Sequence, residues 1–340
     1  MPGTAEAMRV SAEPMNRPLP EQSAVTILGA VMPVRGACIH RRSSTVCSGV
    51  LMLKISFLSL VVAIGLAGGL AACSPMTALN ALAPASTHTL NAGVAYGGGP
   101  RQMLDVYRPT TAAPPGGWPV VVFFYGGSWN TGQRSDYAFV GEALASRGML
   151  TLVADYRLYP AVRYPDFLRD CAAALAWGLD HAREWGGNSQ RVYVMGHSAG
   201  AYNAAMLALD PRWLAPTGHT PSELAGFVGL AGPYDFLPII NVDAQPVFFH
   251  PNYPRDSQPL AFASSKSPRT FLGAAKTDTL VNPQRNTVGL AAKLLAAGVS
   301  VSLKQYERVS HVSLIGAFAR PLRWLAPVLD DVADFVAPPG

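Results

Sequence analysis

Short apolar runs alternate with amphipathic segments along most of this sequence, from about residue 92 to residue 337. Clear examples are the apolar runs 119–125 and 150–154 and the amphipathic segments 166–185 and 287–297. Short runs of β-forming residues indicate buried strands, whereas longer segments with a period of 3.6 residues indicate helices. Strands and helices that alternate in this way form right-handed crossovers and a mostly parallel sheet. The sequence therefore predicts one α/β domain over residues 92–337, with helices on both faces of its sheet.

The remaining predicted elements continue this alternation. We predict further strands over 103–107, 191–195, 226–231, 269–274 and 299–306, and further helices over 137–147, 199–209 and 322–336. Residues 103–107 alternate apolar and polar side chains, which is typical of a half-exposed edge strand. Residues 235–268 have little periodicity and contain several prolines and aromatic residues. We expect a small lid-like insertion there, which lines a pocket.

The charge distribution argues against a polyanionic partner. The formal net charge is +5, but residues 1–72 hold six Lys and Arg against three Asp and Glu, whereas residues 73–340 hold 20 against 18. No long basic run follows residue 72, so we expect no nucleic-acid partner. The four cysteines match no zinc or redox spacing, and we expect neither a metal nor a cofactor.

The N-terminal part of the sequence predicts export. Residues 55–72 are uncharged and apolar, follow Lys54 and end in small residues, as a secretory signal peptide does. The run Leu70-Ala-Ala-Cys73 resembles a bacterial lipobox, in which the cysteine receives lipid and becomes the mature N-terminus. We expect a signal peptide over 52–72, a lipid anchor to the membrane at Cys73, a tether over 73–91 and a location in the cell envelope, facing the periplasm from the outer membrane.

Two further interpretations concern the same part of the chain. An uncleaved membrane anchor is the alternative to a signal peptide, since about 18 apolar residues can span a bilayer. Residues 1–51 are rich in Pro, Ser and Arg and show no apolar period, whereas Met52 begins an ordinary signal-peptide start. We interpret residues 1–51 as a misassigned and disordered N-terminal extension.

The run Gly196-His-Ser-Ala-Gly200 lies between the predicted strand 191–195 and the predicted helix 199–209. A Gly-x-Ser-x-Gly run in this context forms a sharp turn that exposes a nucleophilic serine. The alternative is an ordinary turn in which the serine caps the helix. We predict that Ser198 is the nucleophile of a hydrolase.

A nucleophilic serine needs a histidine as general base and a carboxylate that orients it. His311 follows the predicted strand that ends near residue 306, in a loop before the last helix. Asp278 follows the predicted strand 269–274, and Asp235 and Asp243 are its remaining competitors. We predict His311 as the base and Asp278 as the acid.

The developing oxyanion needs backbone N–H donors. One is expected from Ala199, the residue after the nucleophile. The others are expected from the loop after the strand 119–125, which reads Tyr125-Gly-Gly-Ser-Trp129. A plain glycine turn is the alternative interpretation of this loop.

Four motifs carry a family resemblance over roughly residues 92–337. Residues 125–132, Asp155-Tyr-Arg-Leu158, 196–201 and Gly229-Leu-Ala-Gly-Pro-Tyr-Asp235 are similar to motifs of α/β-hydrolase carboxylesterases. The resemblance is to enzymes like hormone-sensitive lipase, to bacterial feruloyl-esterase-like enzymes and to kynurenine formamidase. It implies the α/β-hydrolase fold.

Carried over by position, this resemblance implies Gly127, Ser128 and Ala199 as oxyanion donors, and Tyr125, Gly126 and Trp129 as supports of the oxyanion loop. Tyr125 stands where these families usually have histidine, so the supporting hydrogen bonds must differ. The segment 155–157 is expected to brace the loop, although Arg157 is equally well interpreted as a surface residue.

Together these residues predict a serine esterase that acts on a small carboxylic ester through an acyl-enzyme intermediate. The alternatives are an amidase or arylformamidase with the same three side chains, and a non-catalytic envelope binding protein that keeps the fold. The sequence leaves the oligomeric state open.

Overall fold

A single eight-stranded sheet organises the part of the chain that the computed structural model describes, residues 75–337. Its strands are β1 (His88–Ala95), β2 (Met103–Pro109), β3 (Trp118–Phe124), β4 (Leu150–Ala154), β5 (Gly187–His197), β6 (Gly226–Leu230), β7 (Thr270–Ala275) and β8 (Val301–Tyr306). The spatial order is β1-β2-β4-β3-β5-β6-β7-β8. Strands β1, β2 and β4 pair antiparallel, and all other neighbours pair parallel. The prediction of a mostly parallel sheet is confirmed.

Helices pack on the sheet in two groups. The helices are α1 (Pro75–Ala81), α2 (Ala138–Ala145), α3 (Asp166–His181), α4 (Ala199–Leu209), α5 (Gly289–Ala296), α6 (His311–Gly316) and α7 (Val328–Val336). Helix α2 packs on β2 and β4 and contacts α7, whereas α3 packs on β3, β4 and β5 and contacts α4. All seven residues of β3 are buried, because helices cover the sheet on both faces.

The predicted tether and edge strand are both wrong. Residues 75–91 belong to the tether that the sequence predicts over 73–91, but they contain helix α1 and the beginning of β1. Asn80 of α1 fixes this segment to the domain, because its side chain bonds the backbone of Ser135 and Phe139. Strand β1 forms the sheet edge, so β2 lies inside the sheet. Most residues of β1 are exposed, and an exposed strand lacks the alternation that reveals strands in a sequence.

Smaller differences concern the ends of helices. The helix predicted over 322–336 is a 3₁₀ turn (Arg320–Leu325) followed by α7, since Pro327 interrupts it. The segment 235–268 contains two 3₁₀ turns, Pro246–Phe248 and Pro259–Phe262, and lacks strands and longer helices, as the insertion prediction requires.

Several N-terminal predictions lie outside the described residues. These are the extension over 1–51, the signal peptide over 52–72 and the lipid anchor at Cys73. Within residues 75–337, no helix is both long enough and apolar enough to span a bilayer.

Candidate active site

Ser198 lies in a strained turn between β5 and α4. Its φ angle is +55°, a left-handed value that is rare for residues other than glycine. A Cβ atom on Gly196 would come within 2.1 Å of the carbonyl oxygen of Gly200, and one on Gly200 within 2.0 Å of that of Phe124. Only glycine fits at these two positions, so the turn that presents the serine depends on both.

Three predicted side chains form a hydrogen-bonded chain. The Oγ atom of Ser198 lies 2.8 Å from Nε2 of His311, and Nδ1 of His311 lies 2.7 Å from Oδ2 of Asp278. His311 and Asp278 are both buried. The structure therefore brings Ser198, Asp278 and His311 together, as the parallel strands β5, β7 and β8 all end at the same edge of the sheet.

His311 differs from its prediction in one respect. The sequence placed it in a loop, but it is the first residue of the short helix α6. Ser310 caps this helix, since its side chain accepts a hydrogen bond from the amide of Ser313. The cap fixes the backbone beside the imidazole.

Asp278 is held as a carboxylate. Its Oδ1 atom accepts hydrogen bonds of 2.9 Å from the amides of Leu280 and Val281, which leaves Oδ2 for His311. Burial favours the neutral acid, but the hydrogen bonds and His311 outweigh it and lower the pKa of Asp278 below its usual value. An ionised carboxylate at this place orients the imidazole and stabilises its protonated form.

The two competing acids have other contacts. Asp235 forms an ion pair of 3.0 Å with Arg285, and Asp243 lies in the insertion, where its backbone carbonyl accepts a hydrogen bond from Asn130. Neither carboxylate contacts His311.

The loop after β3 has an unusual backbone. Gly127, Ser128 and Trp129 all have positive φ angles, of 117°, 50° and 59°. Within residues 75–337, the amides of Gly127, Ser128 and Ala199 donate to no other group of the protein. Ser128 and Ala199 line a cavity together with Ser198. Two residues with free amides, Ser128 and Ala199, thus line the cavity that holds Ser198, where an oxyanion site requires N–H donors.

Tyr125 supports this loop through buried hydrogen bonds. Its hydroxyl donates to Asp155 at 2.7 Å and accepts from Arg101 at 2.6 Å, while its carbonyl accepts from the hydroxyl of Tyr156 at 2.8 Å. Asp155 and Tyr156 thus brace the loop as expected. Arg157 does not, because it forms a bidentate ion pair with Asp170.

Three polar partners of this site are not predicted by the sequence. Asn203 accepts a buried hydrogen bond of 2.9 Å from the indole of Trp129, and Asn241 donates one of 3.0 Å to Oγ of Ser128. His197, the second residue of the Gly-x-Ser-x-Gly run, bonds the backbone of His311. Of the three, only His197 could have been found from the sequence, because it lies within the Gly-x-Ser-x-Gly run.

The cavity beside Ser198 has a volume of about 140 Å³ and is mainly apolar. Its apolar side chains include Phe236, Pro238, Ile239, Ile240, Leu280 and Val281. The first four belong to the segment 235–268, so this segment lines the pocket as predicted. The charges of Asp235 and Arg285 compensate each other at its edge. Among residues 75–337, no group of three or more His, Cys, Asp or Glu side chains is arranged to hold a metal ion.

A family model described as BD-FAE matches residues 104–294, which is more than half of the chain. The carboxylesterase NlhH of Mycobacterium tuberculosis is 32% identical over 218 residues, which cover 57% of this chain and 66% of that protein. Esterase LipC of the same species is 35% identical over 153 residues, 42% and 36% of the two chains.

A plant protein is also similar. The probable isoprenylcysteine alpha-carbonyl methylesterase ICMEL1 of Arabidopsis thaliana is 30% identical over 154 residues, which cover 44% of this chain and 32% of that protein. The chain thus spans about a third of the length of the curated relatives it matches first.

Two solved structures share the fold. A truncated carbohydrate esterase from gut microbiota is 18% identical, with a TM-score of 0.63 over 74% of this chain and 97% of that chain. An esterase from Thermogutta terrifontis is 21% identical, with a TM-score of 0.59 over 75% and 97%. Both confirm the predicted α/β-hydrolase fold.

Proposed function

The chain belongs to the BD-FAE family, and from this premise we propose that it is a serine carboxylesterase that hydrolyses small carboxylic esters through an acyl-enzyme intermediate. Several of its relatives are named as esterases. The observation that carries the proposal is the hydrogen-bonded chain from Ser198 through His311 to Asp278. A serine hydroxyl is a weak nucleophile, and this arrangement activates it.

The first half of the reaction transfers the acyl group to the enzyme. Nε2 of His311 takes the proton of Ser198 as its Oγ attacks the ester carbonyl carbon. The carbonyl oxygen becomes an oxyanion, which accepts hydrogen bonds from the amides of Gly127, Ser128 and Ala199. The intermediate collapses, the bond to the alcohol oxygen breaks, and His311 gives its proton to the leaving alcohol.

The second half returns the enzyme to its starting state. His311 takes a proton from water, and the resulting hydroxide attacks the acyl carbon. The bond to Oγ of Ser198 breaks, Oγ takes the proton from His311, and the carboxylic acid leaves. Asp278 stays ionised and stabilises the imidazolium in both halves, in keeping with its lowered pKa.

A fluorophosphonate probe and short p-nitrophenyl esters test this proposal. The wild-type protein should bind one probe per chain and hydrolyse p-nitrophenyl acetate. Ser198→Ala should abolish both and leave the folded state intact, as measured by thermal unfolding. Ser222→Ala, an exposed serine remote from the site, is the matched control and should behave as wild type. Turnover retained by Ser198→Ala would exclude the assignment.

We also propose that the enzyme is anchored in the cell envelope by lipid on Cys73. The support is the apolar run 55–72 followed by Leu70-Ala-Ala-Cys73. Helix α1 begins at Pro75, so a lipid on Cys73 would leave almost no free chain between the membrane and the domain.

Mass spectrometry of the protein from bacterial membranes tests the anchor. The expected N-terminus is a lipid-modified Cys73, and Cys73→Ala should abolish both the lipid mass and the cleavage before residue 73. An intact Met1 in the mature protein would contradict the proposal.

A further inference from the structure

A second histidine lies beside the candidate triad and takes no part in the reaction described above. His197 is the last residue of β5 and directly precedes Ser198. Its side chain is buried, and its ring centre lies 5.0 Å from that of His311. A buried histidine within the turn that carries the nucleophile can influence the geometry of both neighbours.

The hydrogen bond of His197 defines its tautomer. Its Nε2 atom lies 2.9 Å from the backbone carbonyl oxygen of His311. A carbonyl oxygen only accepts, so Nε2 of His197 must carry the proton and donate it. The other ring nitrogen, Nδ1, is then a bare acceptor, and among the described residues it has no hydrogen-bond partner although it is buried.

An unpartnered buried nitrogen is costly, so a histidine at this position needs a reason. An apolar residue would fill the same space without this cost. What an apolar residue lacks is the N–H group that holds the carbonyl of His311.

The opposite side of the ring faces Gly126 of the oxyanion loop. A Cβ atom on Gly126 would come within 3.3 Å of Nδ1 of His197 and within 2.9 Å of Cβ of Ser198. His197 therefore lies between the loop that stabilises the oxyanion and the helix start that carries the base. Its backbone continues directly into the nucleophile.

The charge state of His197 suits this position. Burial and the neighbouring imidazole of His311 lower its pKa to about 3, against weaker opposing influences from the hydrogen bond to the carbonyl of His311 and from Asp278. His197 is therefore neutral at physiological pH. A neutral donor holds the carbonyl without placing a second positive charge beside the imidazolium that forms on His311 during the reaction.

From these contacts we infer that His197 is a positioning residue, which holds the backbone of His311 so that its Nε2 atom stays in hydrogen-bonding distance of Ser198. The inference rests on the proposed esterase function. Asp278 orients the imidazole through Nδ1, and His197 fixes the backbone from which that imidazole extends. Two fixed points leave the ring little freedom to turn away from the hydroxyl.

Two substitutions test the hydrogen bond. His197→Leu has a similar volume and no donor. His197→Gln carries an N–H group at about the reach of Nε2. We expect His197→Leu to lower kcat for p-nitrophenyl acetate about a hundredfold with little change in KM, since a displacement of about 1 Å in a reacting group can have that effect. His197→Gln should restore kcat to within about tenfold of wild type.

Active-site titration separates positioning from folding. The fluorophosphonate probe counts competent sites, and its rate of reaction measures how well each serine is activated. A positioning role predicts that His197→Leu binds one probe per folded chain but reacts about a hundred times more slowly. A role in folding alone predicts fewer sites that each react at the wild-type rate, and this result would overturn the inference.

His197→Asn covers the case in which the leucine variant does not fold, because its amide is polar but too short to reach the carbonyl of His311. His197→Asn should react with the fluorophosphonate probe as slowly as we expect for His197→Leu. A wild-type rate of labelling would again overturn the inference. A wild-type protein that does not label at all overturns the proposed function itself. The two failures are therefore distinct.

Discussion

The hydroxyl of Tyr125 donates a 2.7 Å hydrogen bond to the carboxylate of Asp155, and both residues are buried beneath the oxyanion loop. Asp155 also pairs with Arg134, and Tyr125 accepts a hydrogen bond from Arg101. The related enzymes that the sequence resembles usually have histidine in place of Tyr125. In this chain, a buried phenol between an arginine and a carboxylate supports the loop instead.

Tyr125→Phe tests this support. The substitution keeps the ring but leaves the carboxylate of Asp155 with one hydrogen bond fewer, so the free energy of unfolding should fall by about 1–3 kcal/mol. We expect kcat to fall about tenfold, less than the ~10²–10³-fold loss that follows removal of an oxyanion donor itself. Urea unfolding and ester hydrolysis measure the two effects.

Tyr193→Phe is the matched control. The hydroxyl of Tyr193 also makes buried hydrogen bonds, to the carbonyl of Val336 and with Arg269, but they lie far from the oxyanion loop. Tyr193→Phe should lower the free energy of unfolding about as much as Tyr125→Phe does, but leave kcat unchanged. Equal kcat losses in both variants would show that Tyr125 acts through global stability alone.

Asp278→Asn tests the assignment of the acid. An asparagine at this position keeps the shape of the side chain but cannot stabilise an imidazolium, so kcat should fall by about 10⁴. Asp235→Asn breaks the ion pair with Arg285 at the edge of the cavity and should leave kcat within about tenfold of wild type, because exposed ion pairs contribute little. A larger loss in Asp235→Asn than in Asp278→Asn would reverse the assignment.

The sequence predicts the three triad candidates well for a topological reason. Ser198, Asp278 and His311 each follow a strand that is recognisable from its apolar residues. Since parallel strands end at one edge of the sheet, the strand pattern and the chain order suffice to bring these side chains together. The prediction needs no knowledge of side-chain contacts.

The parts that the sequence missed depend on contacts without periodicity. Asn203 lies 74 residues from Trp129, and Asn241 lies 113 residues from Ser128. Nothing in the local sequence indicates such pairs. Strand β1 was missed because its residues are mostly exposed, so that pairing with β2 rather than burial stabilises it.

Ile240 and Leu280 provide a test of substrate selection. Both line the cavity beside Ser198, yet 88% and 70% of their surfaces are exposed. Because an apolar contact of this size contributes about 1–3 kcal/mol, Ile240→Ser and Leu280→Ser should raise KM for p-nitrophenyl hexanoate about tenfold. The acetate ester is too short to use the contact fully, so both variants should hydrolyse it with nearly the KM of wild type.

Val242→Ser is the matched control for this pair. Val242 lies in the same insertion and is 72% exposed, but it does not line the cavity. Its substitution should change KM for neither ester. Equal effects of Ile240→Ser and Val242→Ser on the hexanoate ester would indicate a general surface effect instead of a binding contact.

The lowered pKa of His197 predicts a pH dependence of stability. Its pKa is about 3 in the folded protein and about 6.5 in the unfolded chain. Between these pH values the unfolded state binds a proton that the folded state does not. The contribution of His197 to the free energy of unfolding is therefore complete above pH 6.5 and is lost as the pH falls towards 3. Because of this residue, the free energy of unfolding should decrease by about 1.4 kcal/mol for each unit by which the pH falls in this range.

Urea unfolding of wild type and His197→Gln between pH 4.5 and about pH 7 measures this contribution. Glutamine does not titrate, so the variant should lose less stability than wild type as the pH falls, and the difference between the two curves should grow steadily below about pH 6.5. His250→Gln, an exposed histidine, controls for the removal of an imidazole as such. Parallel curves for wild type and His197→Gln would mean that His197 is charged in the folded protein. A charged His197 would repel the imidazolium of His311, which is why a neutral ring is the form compatible with catalysis.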